Sequence, residues 1–190
     1  MRHYLLILLI TFCTGCFAQS ADKLYEEGKK LYDAENYTAA VPKLQAAAEK
    51  GHKKAQYRLG RCYDKGYGVD ENETKAYVWY LKAANQGSAK AQYQVGKCLK
   101  NGSGVEKDRK KAVEWFAKAA KQDNGNAQLA LGKAYMKGKG IAADADKAKS
   151  WLKKAVSNPK DGKEILEELR KEKAEGDEDA IRILEIVGKK

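Results

Sequence analysis

Residues 55–84 read AQYRLGRCYDKGYGVDENETKAYVWYLKAA, residues 91–120 read AQYQVGKCLKNGSGVEKDRKKAVEWFAKAA, and residues 127–156 read AQLALGKAYMKGKGIAADADKAKSWLKKAV. The three lines are one pattern at a constant offset of 36 residues. Gly60, Gly96 and Gly132 recur at that offset, as do Trp79, Trp115 and Trp151, and Ala76, Ala112 and Ala148. A period of this length denotes stacked supersecondary units, none of which can bury its apolar face alone. Such arrays usually hold partners rather than perform chemistry.

Within each unit the spacing predicts a first helix over residues 53–65 and its translations. A pair of glycines two residues apart follows (Gly66 and Gly68, Gly102 and Gly104, Gly138 and Gly140) and reverses the chain. Val69, Val105 or Ile141 turns back over the core. Asn72, Asp108 and Asp144 then stand where an N-cap of the second helix is needed. The motifs Leu59-Gly60-x-x-Tyr63-x-x-Gly66-x-Gly68-Val69 and Lys75-Ala76-x-x-Trp79-x-x-Lys82-Ala83-Ala84, each with two repetitions, resemble the Sel-1-like repeat family, a relative of the tetratricopeptide repeat. The resemblance implies an all-α fold, a right-handed α/α superhelix (solenoid) of antiparallel helix hairpins. It also implies a non-catalytic adaptor, since members mostly scaffold protein complexes.

Upstream, residues 21–52 read as a shorter, tetratricopeptide-like hairpin. Leu24, Tyr25, Gly28, Leu31 and Tyr32 lie on a first helix, and Tyr37, Ala40, Leu44 and Ala47 on a second. Gly28 to Ala40 is 12 residues, against 16 from Gly60 to Ala76, so the later units carry four more residues in the turn. Full repeats are expected over 53–88, 89–124 and 125–156. Residues 157–190 leave the pattern after Asn158-Pro159-Lys160-Asp161-Gly162. Glu168 stands where the period places a glycine, and two charged amphipathic helices are expected to cap the array.

Residues 1–18 read as a secretory leader. Arg2 precedes an apolar run over Tyr4–Phe12 that is too short to span a bilayer, and small residues follow. Cys13-Thr14-Gly15-Cys16 also resembles a lipobox, which would put a lipid on Cys16. Either reading makes the protein exported: periplasmic or secreted, or lipid-anchored in the envelope. The lipobox-like cysteine leans bacterial; in a eukaryote, Asn36, Asn72 and Asn101 would be N-glycosylation acceptors. Charge is segregated along the chain. Residues 53–156 hold 23 basic and 10 acidic residues, whereas residues 19–52 hold 5 and 6, and residues 157–190 hold 8 and 10. A cationic array between mildly acidic ends argues for an anionic partner.

Chemistry finds little support. Cys62 and Cys98 occupy one slot of successive repeats. Equivalent points on packed helices lie roughly 8–10 Å apart, beyond the about 7 Å limit for a disulfide, so both read as separate buried thiols. Cysteine-rich relatives that bridge pairs within each repeat have been discussed as penicillin-binding proteins, but those pairs are missing here. Ser150-x-x-Lys153 matches a serine-enzyme pattern without its companion motifs, leaving a penicillin-binding or β-lactamase-like activity as a remote alternative. His3 and His52 are the sole histidines, so no metal cluster is expected, and no cofactor. Trp79, Trp115 and Trp151 read as packing between helices.

The first helices are more informative. With Leu59 pointing to the core, their opposite side should line a concave groove. Its rows would be Tyr57, Tyr93 and Leu129; Arg61, Lys97 and Lys133; and Asp64, Lys100 and Met136. Aromatics beside fixed cations suit an extended or acidic peptide. The expected partner is therefore a protein or peptide, held by a monomer. An anionic envelope polymer is the alternative, with nucleic acid ranking behind both.

Overall fold

A computed structural model describes residues 19–188; the expected leader over 1–18, including Cys16 and His3, lies outside the described residues. Among the described residues the chain is entirely helical. Ten helices follow in order: α1 (Ala21–Asp33), α2 (Tyr37–Glu49), α3 (Lys53–Lys65), α4 (Glu73–Asn85), α5 (Ala89–Asn101), α6 (Arg109–Ala120), α7 (Gly125–Lys137), α8 (Ala145–Val156), α9 (Gly162–Ala174) and α10 (Glu178–Val187). From α1 to α8 each packs against its neighbours in sequence. The chain is thus a stack of hairpins, in which α1, α3, α5, α7 and α9 are the first members and α2, α4, α6, α8 and α10 the second.

The helix boundaries follow from local chemistry. Each second helix of the three full repeats starts at a carboxylate or amide N-cap: Asn72, Asp108 and Asp144 accept from the backbone N–H groups of Lys75, Lys111 and Lys147 at 2.8, 2.9 and 2.9 Å. Ser88 and Asn124 cap the first helices α5 and α7 in the same way. In the first repeat that place belongs to His52, whose Nδ1 accepts from the Ala55 N–H at 3.1 Å. Gly66, Gly102 and Gly138 end the first helices in the left-handed conformation.

Two glycine positions are required by close approach. Gly60 faces the ring of Tyr80, where a Cβ would lie 2.6 Å away; Gly96 and Gly132 face Phe116 and Leu152 equally closely. These glycines let the two helices of a hairpin press together. Gly68, with φ 71°, lies against the Tyr37 backbone at the start of α2. Gly104 and Gly140 repeat this contact on Glu73 and Arg109. Each interhelical loop is therefore seated on the second helix of the preceding unit.

A ladder of amides also joins consecutive units. Gln56, Gln92 and Gln128 are buried, and each donates its Nε2 to a carbonyl in the last turn of the preceding helix: Ala48, Ala84 and Ala120, at 3.1, 3.2 and 3.3 Å. Such carbonyls have no partner within their own helix. The Oε1 of each glutamine in turn accepts from Gln86, Gln122 or Asn158 of its own unit's exit, at 2.7, 2.7 and 3.3 Å. The apolar core runs along the stack in three abutting clusters: α1–α3, α4–α7 and α8–α10. Trp79, Trp115 and Trp151 pack against these clusters with one side. They are half-buried, and Lys82, Lys118 and Lys154 stand over their rings at 3.9, 4.1 and 4.6 Å.

The C-terminal pair departs from the period. Helix α9 starts 37 residues after α7, not 36. On α9 the buried residues are Ile165 and Leu169, and Glu168 is exposed. Ile165, Leu169, Ile183, Leu184 and Val187 close the core over Leu152 and Val156.

Candidate functional site

The inner sides of α5, α7 and α9 line a cavity of about 510 Å³ that α6 floors. Of the residues expected in the groove, Tyr93, Lys100, Leu129 and Lys133 border it. Val113 and Phe116 contribute apolar surface from α6, and Ile165 and Leu169 from α9. Lys97 stands above the Tyr93 ring, its ammonium 5.9 Å from the centroid. Lys107, Arg109 and Lys139 add cations at the rim.

The remaining expected residues lie elsewhere. Tyr57 leans on Tyr80, ring centroids 5.8 Å apart. Arg61 turns toward the N-terminal hairpin and lies 5.9 Å over the ring of Tyr32. Asp64 pairs with its neighbour Lys65 at 3.5 Å. Met136 packs with the C-terminal cluster. The reason is physical: Tyr32 and Tyr37 of the N-terminal hairpin pack with Tyr67 of the α3–α4 loop, and Arg58 and Arg61 lie over the Tyr32 ring. The floor beneath α3 is filled by Tyr80, which is fully buried.

Electrostatically the groove has two walls. Burial, with Lys97 and Lys133 nearby, holds Lys100 below the usual lysine pKa. The opposite wall, missed in the sequence, is acidic and belongs to the C-terminal pair. Glu172 approaches Lys133 at 3.9 Å, and Asp179 pairs with Lys137. Burial raises the Tyr93 phenol, and the nearby Glu168 raises it further. Glu168 is exposed on α9 and borders the cavity. The 36-residue period placed it at a packing position, so the spacing gave no sign of it.

The other candidates have structural places. Cys62 and Cys98 are free and buried, and burial pushes both thiols up to about 11, away from reactivity. Ser150 and Lys153 are exposed on α8, on either side of Trp151. No group of His, Cys, Asp and Glu among the described residues could hold a metal ion. No helix among them is long and apolar enough to cross a membrane.

Short antiparallel hairpins, locked by glycine contacts and with first helices lining one side, define a helical-repeat solenoid. The Sel1 repeat model matches residues 53–88, 89–124 and 125–159, more than half of the chain, and the protein belongs to that family. Its fold is similar to a Sel1 repeat protein from Oxalobacter formigenes, at 35 % identity and TM-score 0.68 over 72 % of this chain and 56 % of that one. It is also similar to c5321, a protective antigen of uropathogenic Escherichia coli with an SLR fold, at 28 % identity and TM-score 0.73 over 89 % of this chain and 38 % of the other. Cysteine rich protein B of Helicobacter pylori shares the fold at 22 % identity and TM-score 0.50, over 74 % and 96 %. The chain thus spans little more than half of the first of these proteins and well under half of the second. No curated protein matches it. Sel1 repeats generally mediate contacts between proteins, and this chain is such a scaffold.

Proposed function

We propose that the protein is an exported scaffold that binds a protein or peptide segment in the groove between α5, α7 and α9. The observation that carries this reading is the cavity itself: about 510 Å³, floored by Phe116 and Val113 and bordered by Lys100, Lys107 and Lys139, which take part in no ion pair among the described residues. Concave sites of this size, apolar with a few charged groups, suit a peptide's side chains. The leader-like residues 1–18 support export, as does similarity to a protein described as a protective antigen. A lipid on Cys16 would tether the scaffold to the envelope, and incorporation of a labelled lipid precursor into wild type but not Cys16→Ala tests this.

The groove is tested by affinity purification from the source envelope with wild type and a Tyr93→Ala/Lys97→Glu variant, quantified by mass spectrometry. The expected result is a partner recovered by wild type and depleted at least tenfold with the variant; equal recovery sinks the reading. A second reading rests on the 23 basic residues of the array, spread well beyond the groove. On that reading an anionic polymer is held by charge alone, and affinity for polyglutamate falls steeply and log-linearly with salt while ignoring Tyr93→Ala.

A further inference from the structure

The groove's charge is ordered, not uniform. On the α5 side Lys97 and Lys100 take part in no ion pair among the described residues. Burial lowers the Lys100 pKa, and repulsion from Lys97 and then Lys133 lowers it further. No carboxylate among the described residues pairs with either lysine, so an anion placed there would relieve a cost already present in the free state. On the α9 side the cations Lys133 and Lys137 are occupied by Glu172 and Asp179. Glu168 is the carboxylate of that wall left without a partner. Tyr93 lies between the two systems: it sits beneath the Lys97 ammonium and feels the Glu168 charge. Between the walls the surface is apolar, formed by Val113, Phe116 and Leu129. A segment acidic along its whole length would gain at Lys97 and Lys100 and lose at Glu168.

We propose that the groove selects a segment of mixed charge order: a carboxylate against Lys97 and Lys100, a bulky apolar side chain over Phe116 and Leu129, and a lysine or arginine against Glu168. The proposal rests on the peptide-binding reading of the same groove and narrows it from an acidic partner to a bipolar one. Like-charge contact at the α9 wall excludes wholly acidic segments, and like-charge contact at the α5 wall excludes wholly basic ones.

The test is selection of a random peptide library against the full protein, followed by anisotropy titrations of the enriched peptides and of a fixed wholly acidic peptide. Wild type, Lys97→Glu/Lys100→Glu and Glu168→Lys are compared. Lys97 and Glu168 are exposed, and Lys100 reaches solvent although its ammonium borders the cavity and is partly covered; thermal melts establish that the variants stay folded. Enriched peptides should combine an acidic residue, a large apolar residue and a basic residue, and each variant should weaken them tenfold or more. Glu168→Lys should at the same time tighten the wholly acidic peptide about tenfold. Enrichment of wholly acidic peptides that bind Glu168→Lys as well as or better than wild type would overturn the charge order and leave peptide binding standing. If no peptide is enriched, or enriched peptides ignore both groove variants, peptide binding in this groove fails and the charge order with it.

Discussion

Tyr80 carries a hydroxyl that the rest of the array manages without. It is fully buried, its oxygen has no hydrogen-bond partner, and the equivalent residues are Phe116 and Leu152. A buried hydroxyl without a partner costs about 1–3 kcal/mol, and burial accordingly drives this phenol far above the ordinary tyrosine range. Tyr80→Phe should therefore raise stability by about 1 kcal/mol in denaturant titrations; a loss would mean that the hydroxyl is satisfied after all. Gln92→Leu should do the reverse. It removes the buried bonds to Ala84 and Gln122, while the Gly87 N–H still reaches the Ala84 carbonyl at 2.9 Å, and a destabilisation of about 1 kcal/mol is expected. The glutamines were visible in the sequence as a perfect recurrence. Their role was not, because period alone does not tell a buried amide that closes a neighbour's last turn from a polar surface position. The thiols were legible, since a slot that alternates Cys, Cys and Ala accepts small apolar groups.

His52 yields a pH dependence. Its Nδ1 must be unprotonated to cap α3, its ring stacks on Tyr25 at 4.2 Å, and burial lowers its pKa. Asp22, 3.3 Å from Nε2, and Glu26 oppose that shift, while Lys54 adds to it. Because the folded pKa lies below the unfolded value, this contribution is complete above about pH 6.5 and is lost as pH falls toward the folded pKa. His52→Asn, which supplies the cap found at Asn124, should flatten the stability profile in that window. Unfolding free energies at pH 7.5 and 5 compare the two directly, and an unchanged slope would remove His52 from the account.

At the level of elements, the interhelical loop is a clamp on the preceding unit. The glycine pairs and the N-caps Asn72, Asp108 and Asp144 were readable because turn chemistry is local and repeats three times. What the second glycine touches was not readable, since its contact lies about 30 residues back in the chain. Gly104→Ala combines a positive φ with a clash on the Glu73 backbone. It should cost more than about 2 kcal/mol, well beyond the about 0.5–1 kcal/mol that follows from glycine flexibility alone. A melting temperature within a degree of wild type would contradict this. Of the groove rows drawn from helical angles, Tyr93, Lys100, Leu129 and Lys133 border the α5–α7–α9 cavity. At α3, Arg61 lies instead over the ring of Tyr32 in a different hairpin.

For the whole molecule, the C-terminal pair covers the core of the last repeat. Helices α9 and α10 cover Leu152 and Val156, and half-buried Leu129 and Met136 pack against the same cluster. Deleting residues 157–190 would uncover this patch and also remove Asn158 from Gln128. The truncated chain should self-associate, read as a rise in light-scattering mass at micromolar concentration. A stable monomer would mean that the cap is dispensable. The cap was expected from composition, but its one-residue change of register was not. Glu168, which the period places in a packing slot, stands instead at the groove wall, so the part of the site with the most bearing on selectivity lies where the repeat pattern stops.

The amide ladder bears on how such a chain can grow. Every unit brings the glutamine that reaches the last turn of the unit before it and presents a carbonyl to the glutamine of the unit after it, so duplicating one 36-residue link in frame adds matched plugs and sockets in equal number. The joint does not depend on the length of the link, because the shorter N-terminal hairpin makes it too, at Ala48. Only the last joint differs, with Asn158 and its shorter reach, and this is where the series terminates.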